Sequence, residues 1–274
     1  MLSKYEIELL KNRLSKALGI DLVSIVIFGS ATRSDDFTSG LSEIDVAVIT
    51  LRKIRVHERM NILKDFRVNA VFLTLEEFLY LLKEGFPLIY FILHDSHVLY
   101  DRGFISKHKG KFKITKKTKE YLHRAGLSNL SMAVESYFRG MYRESLNSLY
   151  RAVRHAIRHM CCERMGVIPV SNAEIVEKSR ELFPDMLVSS IFVDLVRVRG
   201  FTPSRNYCRE HIENVLKVFS EMYRVSYVSI DAIEEILRGK RVLKRIDAII
   251  ENEKLIWRVK LMEEDGSYRE VDVG

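Results

Sequence analysis

The chain has 274 residues, 47% hydrophobic and 30% charged, with a formal net charge of +7 at pH 7. That length allows two modest cores, and the apolar fraction excludes a disordered chain. The excess of Lys and Arg suits an acidic partner such as a nucleotide or RNA without selecting one. No run reaches the ~18 uninterrupted apolar residues of a membrane span, so no membrane partner is expected. The stretch Met1 to Lys16 is charged and helix-patterned, unlike a signal-peptide core. Cys161, Cys162 and Cys208 have no metal-ligand spacing and cannot all pair, which suits a reducing cytoplasm. Glutamine is absent while Lys, Arg and Glu abound, a bias expected of a thermophilic source.

Ile7, Leu10, Leu14, Ala17 and Leu18 fall at helical spacing and predict a first amphipathic helix that stops at Gly19. Leu22 to Phe28, Ile44 to Thr50 and Val68 to Thr74 are short apolar runs bounded by turn or charged residues, and read as buried strands. A helical stretch near Val56 to Asp65 separates the second from the third. Thr74 and Glu77 form a capping box that opens a helix over Leu75 to Glu84, and Val98 to Tyr100 adds a short strand. Lys107 to Lys119 carries seven lysines and reads as an inter-domain linker. From about Lys117 to Arg238 the pattern is helical. Leu146, Leu149, Val153, Ile157 and Met160 share one face, Gly166 ends that helix, Ser171 with Glu174 makes a capping box, and Pro184 separates two helices. Lys254 to Met262 and Ser267 to Val273 flank Asp265-Gly266, a hairpin signal. The fold class expected is α+β: a small mixed sheet with flanking helices, then an antiparallel helical bundle and a C-terminal β-hairpin. The expected domains are 1–106, a basic linker 107–119, a helical domain 120–238, and an extension 239–274 made of a helix and the hairpin.

The chemistry concentrates in IVIFGSATRSDDFTSGLSEIDVAVI. Residues two apart on a strand face the same way, so Glu43 and Asp45 project together. Adjacent carboxylates repel and become tolerable when they share a divalent cation. Asp45 also sits in an otherwise apolar strand, where an unmatched charge is costly. Gly29 lets the backbone approach a phosphate, Ser30 can donate to its oxygens, and Arg33 is near enough in sequence to add positive charge. The plainer reading of the same residues is a strand-turn-strand with surface acids.

Phe28-Gly29-Ser30 and Glu43-Ile44-Asp45-Val46 resemble the motif of the DNA polymerase β nucleotidyltransferase superfamily, in particular its minimal branch. The likeness runs over about the first hundred residues. It implies a nucleoside triphosphate held with magnesium and transfer of a nucleoside monophosphate to a hydroxyl of a protein or RNA acceptor. Glu43 and Asp45 would hold the metal, while Gly29, Ser30 and Arg33 would hold the nucleotide. Two residues depart from the family pattern. Glu43 stands where relatives usually carry Asp, and Asn69, in RVNAVFL, stands where they place a third carboxylate. That acid serves the second metal of a two-metal site and can take the proton of the attacking hydroxyl, which an amide cannot. Asp65 and Glu76 are near in sequence but belong to helices. A regulatory module that binds nucleotide without transferring it is therefore the rival reading.

Tyr121 to about Tyr227 resembles a HEPN domain, the helical partner of minimal nucleotidyltransferases. Such domains can pair two copies of a chain as a homodimer, and some are RNases or toxin components that use an Arg, a polar residue and a later His. Arg205-Asn206 with His211 fits that order, as does Arg154-His155 with His159. The bland alternative is a solvated face, with Arg151, Arg154 and Arg158 as one basic stripe. His155 and His159 stand four apart but lack a third zinc ligand. The lysines from Lys107 are most simply solvated, and functionally would track nucleic-acid phosphates.

Overall fold

The computed structural model describes residues 4–33, 36, 44–184, 187–238 and 242–274. The chain divides into two compact units, one of residues 1–121 with 170–172 and the other of residues 122–169 with 173–274. No helix of the described residues is long and apolar enough to cross a membrane. The three cysteines are buried thiols.

In the first unit, α1 (Lys4–Leu18) precedes β1 (Leu22–Phe28) and β2 (Ile44–Thr50). Then follow α2 (Val56–Leu63), β3 (Val68–Thr74), α3 (Leu75–Glu84), α4 (Pro87–His94), β4 (Ser96–Asp101) and α5 (Phe104–His108). The sheet runs β3-β2-β1-β4. β1 is antiparallel to β2 and β4, while β2 and β3 are parallel, so the sheet is mixed. Both faces of the central strands are covered, which explains why β1 is buried at every position. Ile25, Ile27, Val46 and Val48 pack with Leu10, Leu14 and Ile62. Val26, Phe28, Ala47 and Ile49 pack on the other side with Phe78, Ile89 and Ile92.

Local chemistry sets the helix ends. Thr74 Oγ1 accepts from the Glu77 N–H at 3.1 Å and the Glu77 carboxylate accepts from the Thr74 N–H at 2.8 Å, the expected capping box. The sequence reading did not resolve α4 as a helix. Its sequence, PLIYFILH, is apolar all round and has no helical period, but Pro87 at the first turn suits a helix start. The lysine-rich segment 107–119 holds the end of α5 and the start of α6 (Lys116–Phe138). Thr115 Oγ1 donates to the Glu84 carbonyl at 2.6 Å and Thr118 Oγ1 to the Gly85 carbonyl at 2.5 Å. Lys117 forms an ion pair with Glu84. Lys107, Lys109, Lys111 and Lys113 are exposed.

The second unit is an antiparallel helical bundle with a sheet in the same core. The remainder of α6 is followed by α7 (Tyr142–Arg164), α8 (Asn172–Leu182), α9 (Val188–Val198) and α10 (Arg205–Tyr223). A Cβ on Gly126 would lie 3.4 Å from the Ala156 backbone nitrogen, so the small residue lets α6 and α7 approach closely. After β5 (Ser226–Tyr227) and α11 (Asp231–Leu237) come β6 (Val242–Glu251), β7 (Lys254–Met262) and β8 (Tyr268–Val273). β7 pairs antiparallel with β6 and β8, and with the short parallel β5. The expected hairpin across Asp265-Gly266 is present as β7 and β8. The helix expected in 239–274 is instead the strand β6. In VLKRIDAIIE the buried residues Ile246 and Ala248 stand two apart, a strand period, and Asn252 and Glu253 take φ values of 50° and 58° in a tight turn. A glutamate is a poor signal for left-handed backbone, so the sequence hid that hairpin. Leu255, Trp257, Val259 and Leu261 of β7 join the helices in one core, and Trp257 Nε1 donates to the Val228 carbonyl at 3.0 Å.

Candidate active site

Strand register assembles the first candidate site. Asp45, the second residue of β2, is opposite Phe28 of β1 and Asn69 of β3. Its side chain shares a face with Ala47 and Ile49, and Asn69 shares that face through Val71 and Leu73. Asn69 Nδ2 donates to Asp45 Oδ1 at 2.9 Å. An ionised carboxylate only accepts, so the contact fixes which end of the amide faces Asp45. Gly29 closes β1 with φ 75°, and a Cβ there would lie 3.1 Å from Asp45 Oδ2. A side chain at position 29 would therefore strain the backbone and crowd the carboxylate. The Gly29 N–H donates to the Asp95 carbonyl at 3.1 Å, so this amide is already committed within the protein. Ser30 follows in a tight turn over Gly29–Thr32 and is half-buried.

Arg33 turns into a charge cluster. Its Nε donates to Asp36 Oδ2 at 2.8 Å, and its guanidinium also forms an ion pair with Asp95 Oδ1. The Asp36 and Asp95 side chains are 6% and 8% exposed, and that of Arg33 is 19% exposed. Burial alone would lower the Arg33 pKa, but hydrogen bonds to Asp95 and Asp36 outweigh it and raise the value. The charge that sequence position offered to a phosphate is thus matched by two carboxylates. Thr32 Oγ1 lies 2.7 Å from the Gly29 carbonyl and 3.1 Å from Asp95 Oδ1. The sequence reading named neither Asp36 nor Asp95. Asp36 stands three residues after Arg33, a spacing open to notice; Asp95 comes from the distant α4–β4 joint.

Glu43 lies outside the described residues. Among the described residues no group of three or more His, Cys, Asp or Glu could hold a metal ion. Asp45 and Asn69 offer oxygen donors, a type that suits magnesium rather than zinc, but it is the Asn69 amide nitrogen that faces Asp45.

The other candidates lie in the second unit. Arg205 Nε donates to the Tyr137 hydroxyl at 3.2 Å, and its NH2 donates to Glu234 Oε1 at 2.8 Å. The Tyr137 hydrogen bond leads the causes that raise the Arg205 pKa. His211 Nδ1 is 3.0 Å from the Tyr207 carbonyl, with its ring against Tyr207. Six residues at ~100° each put Arg205 and His211 on different sides of α10. Asn206 is exposed. On α7, burial first and then Arg158, Arg154 and Arg151 push His155 down to about 3. His159 Nδ1 is 3.3 Å from the Tyr223 hydroxyl, and its other ring nitrogen is 3.7 Å from Glu163. Arg158 of the predicted basic stripe is buried, its Nε donating to the Pro169 carbonyl at 2.9 Å.

No protein-family model matches the chain, and neither does any curated protein. Among solved structures, it is similar to spectinomycin adenyltransferase from Enterococcus faecialis with ATP and spectinomycin, at 12% identity and a TM-score of 0.47. That match covers 77% of this chain and 100% of the other. It is also similar to a nucleotidyltransferase-like protein from Exiguobacterium sibiricum, at 13% identity and a TM-score of 0.37, covering 89% of this chain and 82% of that one. Both likenesses are too low to carry an argument about function.

Proposed function

We infer that the first unit binds a nucleoside triphosphate with magnesium and transfers a nucleoside monophosphate to a hydroxyl of a protein or RNA acceptor. The observation that carries this reading is the meeting of Asp45, Gly29 and Asn69 at one end of a mixed sheet, with Asp45 Oδ2 against the space that a Gly29 Cβ would fill. Asp45 and Glu43 would hold the magnesium, whose charge would neutralise phosphate oxygens. Ser30 would donate to a phosphate oxygen. In the transfer, the acceptor hydroxyl oxygen bonds to the α-phosphorus, the bond from that phosphorus to the bridging oxygen breaks, and pyrophosphate leaves. The hydroxyl proton passes to a base. Asn69 cannot be that base, so the proton would go to solvent and the step would be slow. The exposed lysines 107, 109, 111 and 113 would suit the phosphates of an RNA acceptor.

The Asn69–Asp45 hydrogen bond also favours a second reading, a regulatory module that binds the nucleotide and does not transfer it. The substitution Asn69→Asp separates the two, because it restores an acid at nearly unchanged volume. Transfer of label from α-labelled ATP or GTP, to protein or to RNA, is expected to rise about 10²–10⁴-fold over the parent. An Asn69→Asp protein that binds magnesium-ATP normally but stays inert on every acceptor would favour the regulatory module. A fast parent, with Asn69→Asp neutral, would mean that the site needs no third acid.

A further inference from the structure

We propose that Asp95 is the positioning residue of the Gly29–Arg33 turn, holding from behind the segment that would meet the triphosphate. The proposal rests on the nucleotide-binding reading above. Asp95 grips the turn at three points. Its main-chain carbonyl accepts from the Gly29 N–H at 3.1 Å. Its Oδ1 accepts from the Thr32 hydroxyl at 3.1 Å. The same carboxylate holds the Arg33 guanidinium by an ion pair. Thr32 Oγ1 is also 2.7 Å from the Gly29 carbonyl, so one hydroxyl bridges the glycine and the aspartate.

The energetic logic favours a positioning role. Gly29 sits at φ 75°, a conformation open to glycine but not enforced by it, so something else must select it. A main-chain bond on one side and a buried carboxylate on the other supply that selection. Asp95 is 8% exposed, and its Oδ2 has no hydrogen-bond partner among the described residues. A buried carboxylate so placed is costly unless it is tied to a cation, which Arg33 provides. Arg33 is thereby assigned to the clamp and not to the phosphate. The arrangement leaves Ser30 as the half-buried polar side chain of the turn that Asp95 does not hold, with Asp95 acting through the backbone.

The test compares Asp95→Ala and Thr32→Val, singly and together, in the full chain. Amide hydrogen exchange across Gly29–Arg33 reads the turn without any ligand, and calorimetry with magnesium-ATP and magnesium-GTP reads its consequence. Both variants are expected to speed exchange in the turn and to weaken nucleotide binding about tenfold or more. The double variant should lose less than the product of the two single losses, because the two share the Thr32–Asp95 bond. Asp101→Asn serves as the structural control. Asp101 binds Ser24 at 2.6 Å and the Ser106 hydroxyl at 2.9 Å, so that change should lower the melting temperature and leave both turn exchange and nucleotide affinity unmoved. Should Asp95→Ala fail to fold, Thr32→Val alone decides. Unchanged exchange in the turn, or faster exchange with full nucleotide affinity, would overturn the proposal. A parent that binds neither nucleotide, with exchange still faster in the variants, would uphold the anchor and sink the nucleotide-binding reading.

Discussion

One end of the sheet in the first unit and the helix α10 of the second both carry candidate residues, and they organise them in opposite ways. Asp45 and Asn69 are far apart in sequence, yet parallel strand register sets them side by side on one face with a hydrogen bond. Arg205 and His211 are close in sequence, yet the helical repeat turns them apart, Arg205 to Tyr137 and Glu234 and His211 to Tyr207. Neighbouring strands converge residues that the sequence separates. A helix disperses residues that are not three, four or seven apart. The two regions differ in charge as well. Arg33 and its two acids are largely buried, whereas Arg205 and Arg209 meet Glu234 at the surface.

That contrast can be tested from its strongest side first. Replacing Arg33 with Met would leave Asp36 and Asp95 buried without their cation. Chemical denaturation should show a loss of about 3 kcal/mol, at the low end for a broken buried pair because Arg33 is still partly exposed. A loss no larger than that of a surface ion pair would mean that the cluster is solvated.

A smaller effect is expected on α7. His155 is held neutral, with its pKa pushed down to about 3 chiefly by burial. In the unfolded chain it takes a proton near pH 6.5. The unfolded state therefore binds more protons as pH falls below about 6.5, and stability drops until the folded value is reached. Between pH 7 and pH 5 the loss from this residue is about 2 kcal/mol. His155→Gln should flatten the pH dependence by that amount in denaturant titrations at the two pH values, and an unaltered slope would contradict the burial.

At the weak end, His211→Ala on α10 should change stability by no more than about 0.5 kcal/mol, since the ring is only half-buried and its contacts lie within one helix. A loss several times larger in thermal melting would show that the α10 residues form a cooperative group after all.

What the sequence made legible follows physical lines. The β1, β2 and β3 runs were visible because strands buried on both faces read as short apolar blocks, and the α3 capping box was visible because its partners are three residues apart. α4 was hidden by being apolar all round, and β6 by a turn whose residues, Asn252 and Glu253, carry no glycine. Within the candidate site, Asp45 could be read from strand alternation and Gly29 from a local turn, while Asn69 was reached only through the resemblance to the family pattern. The Asp95 clamp could not, because Asp95 reaches Arg33 and Thr32 only through tertiary folding. Nor does sequence proximity say whether an arginine faces a ligand or a neighbouring acid, as Arg33 illustrates.

The most direct test of the central claim is calorimetric titration of the parent and Asp45→Ala with ATP and GTP, with and without magnesium. Asp45 lies at the end of an otherwise well-packed strand, so the variant should keep its circular dichroism spectrum and melting temperature nearly unchanged. The parent is expected to bind a nucleoside triphosphate only when magnesium is present, and Asp45→Ala to lose that binding. Triphosphate binding as tight in Asp45→Ala as in the parent, or binding indifferent to magnesium, would contradict the site.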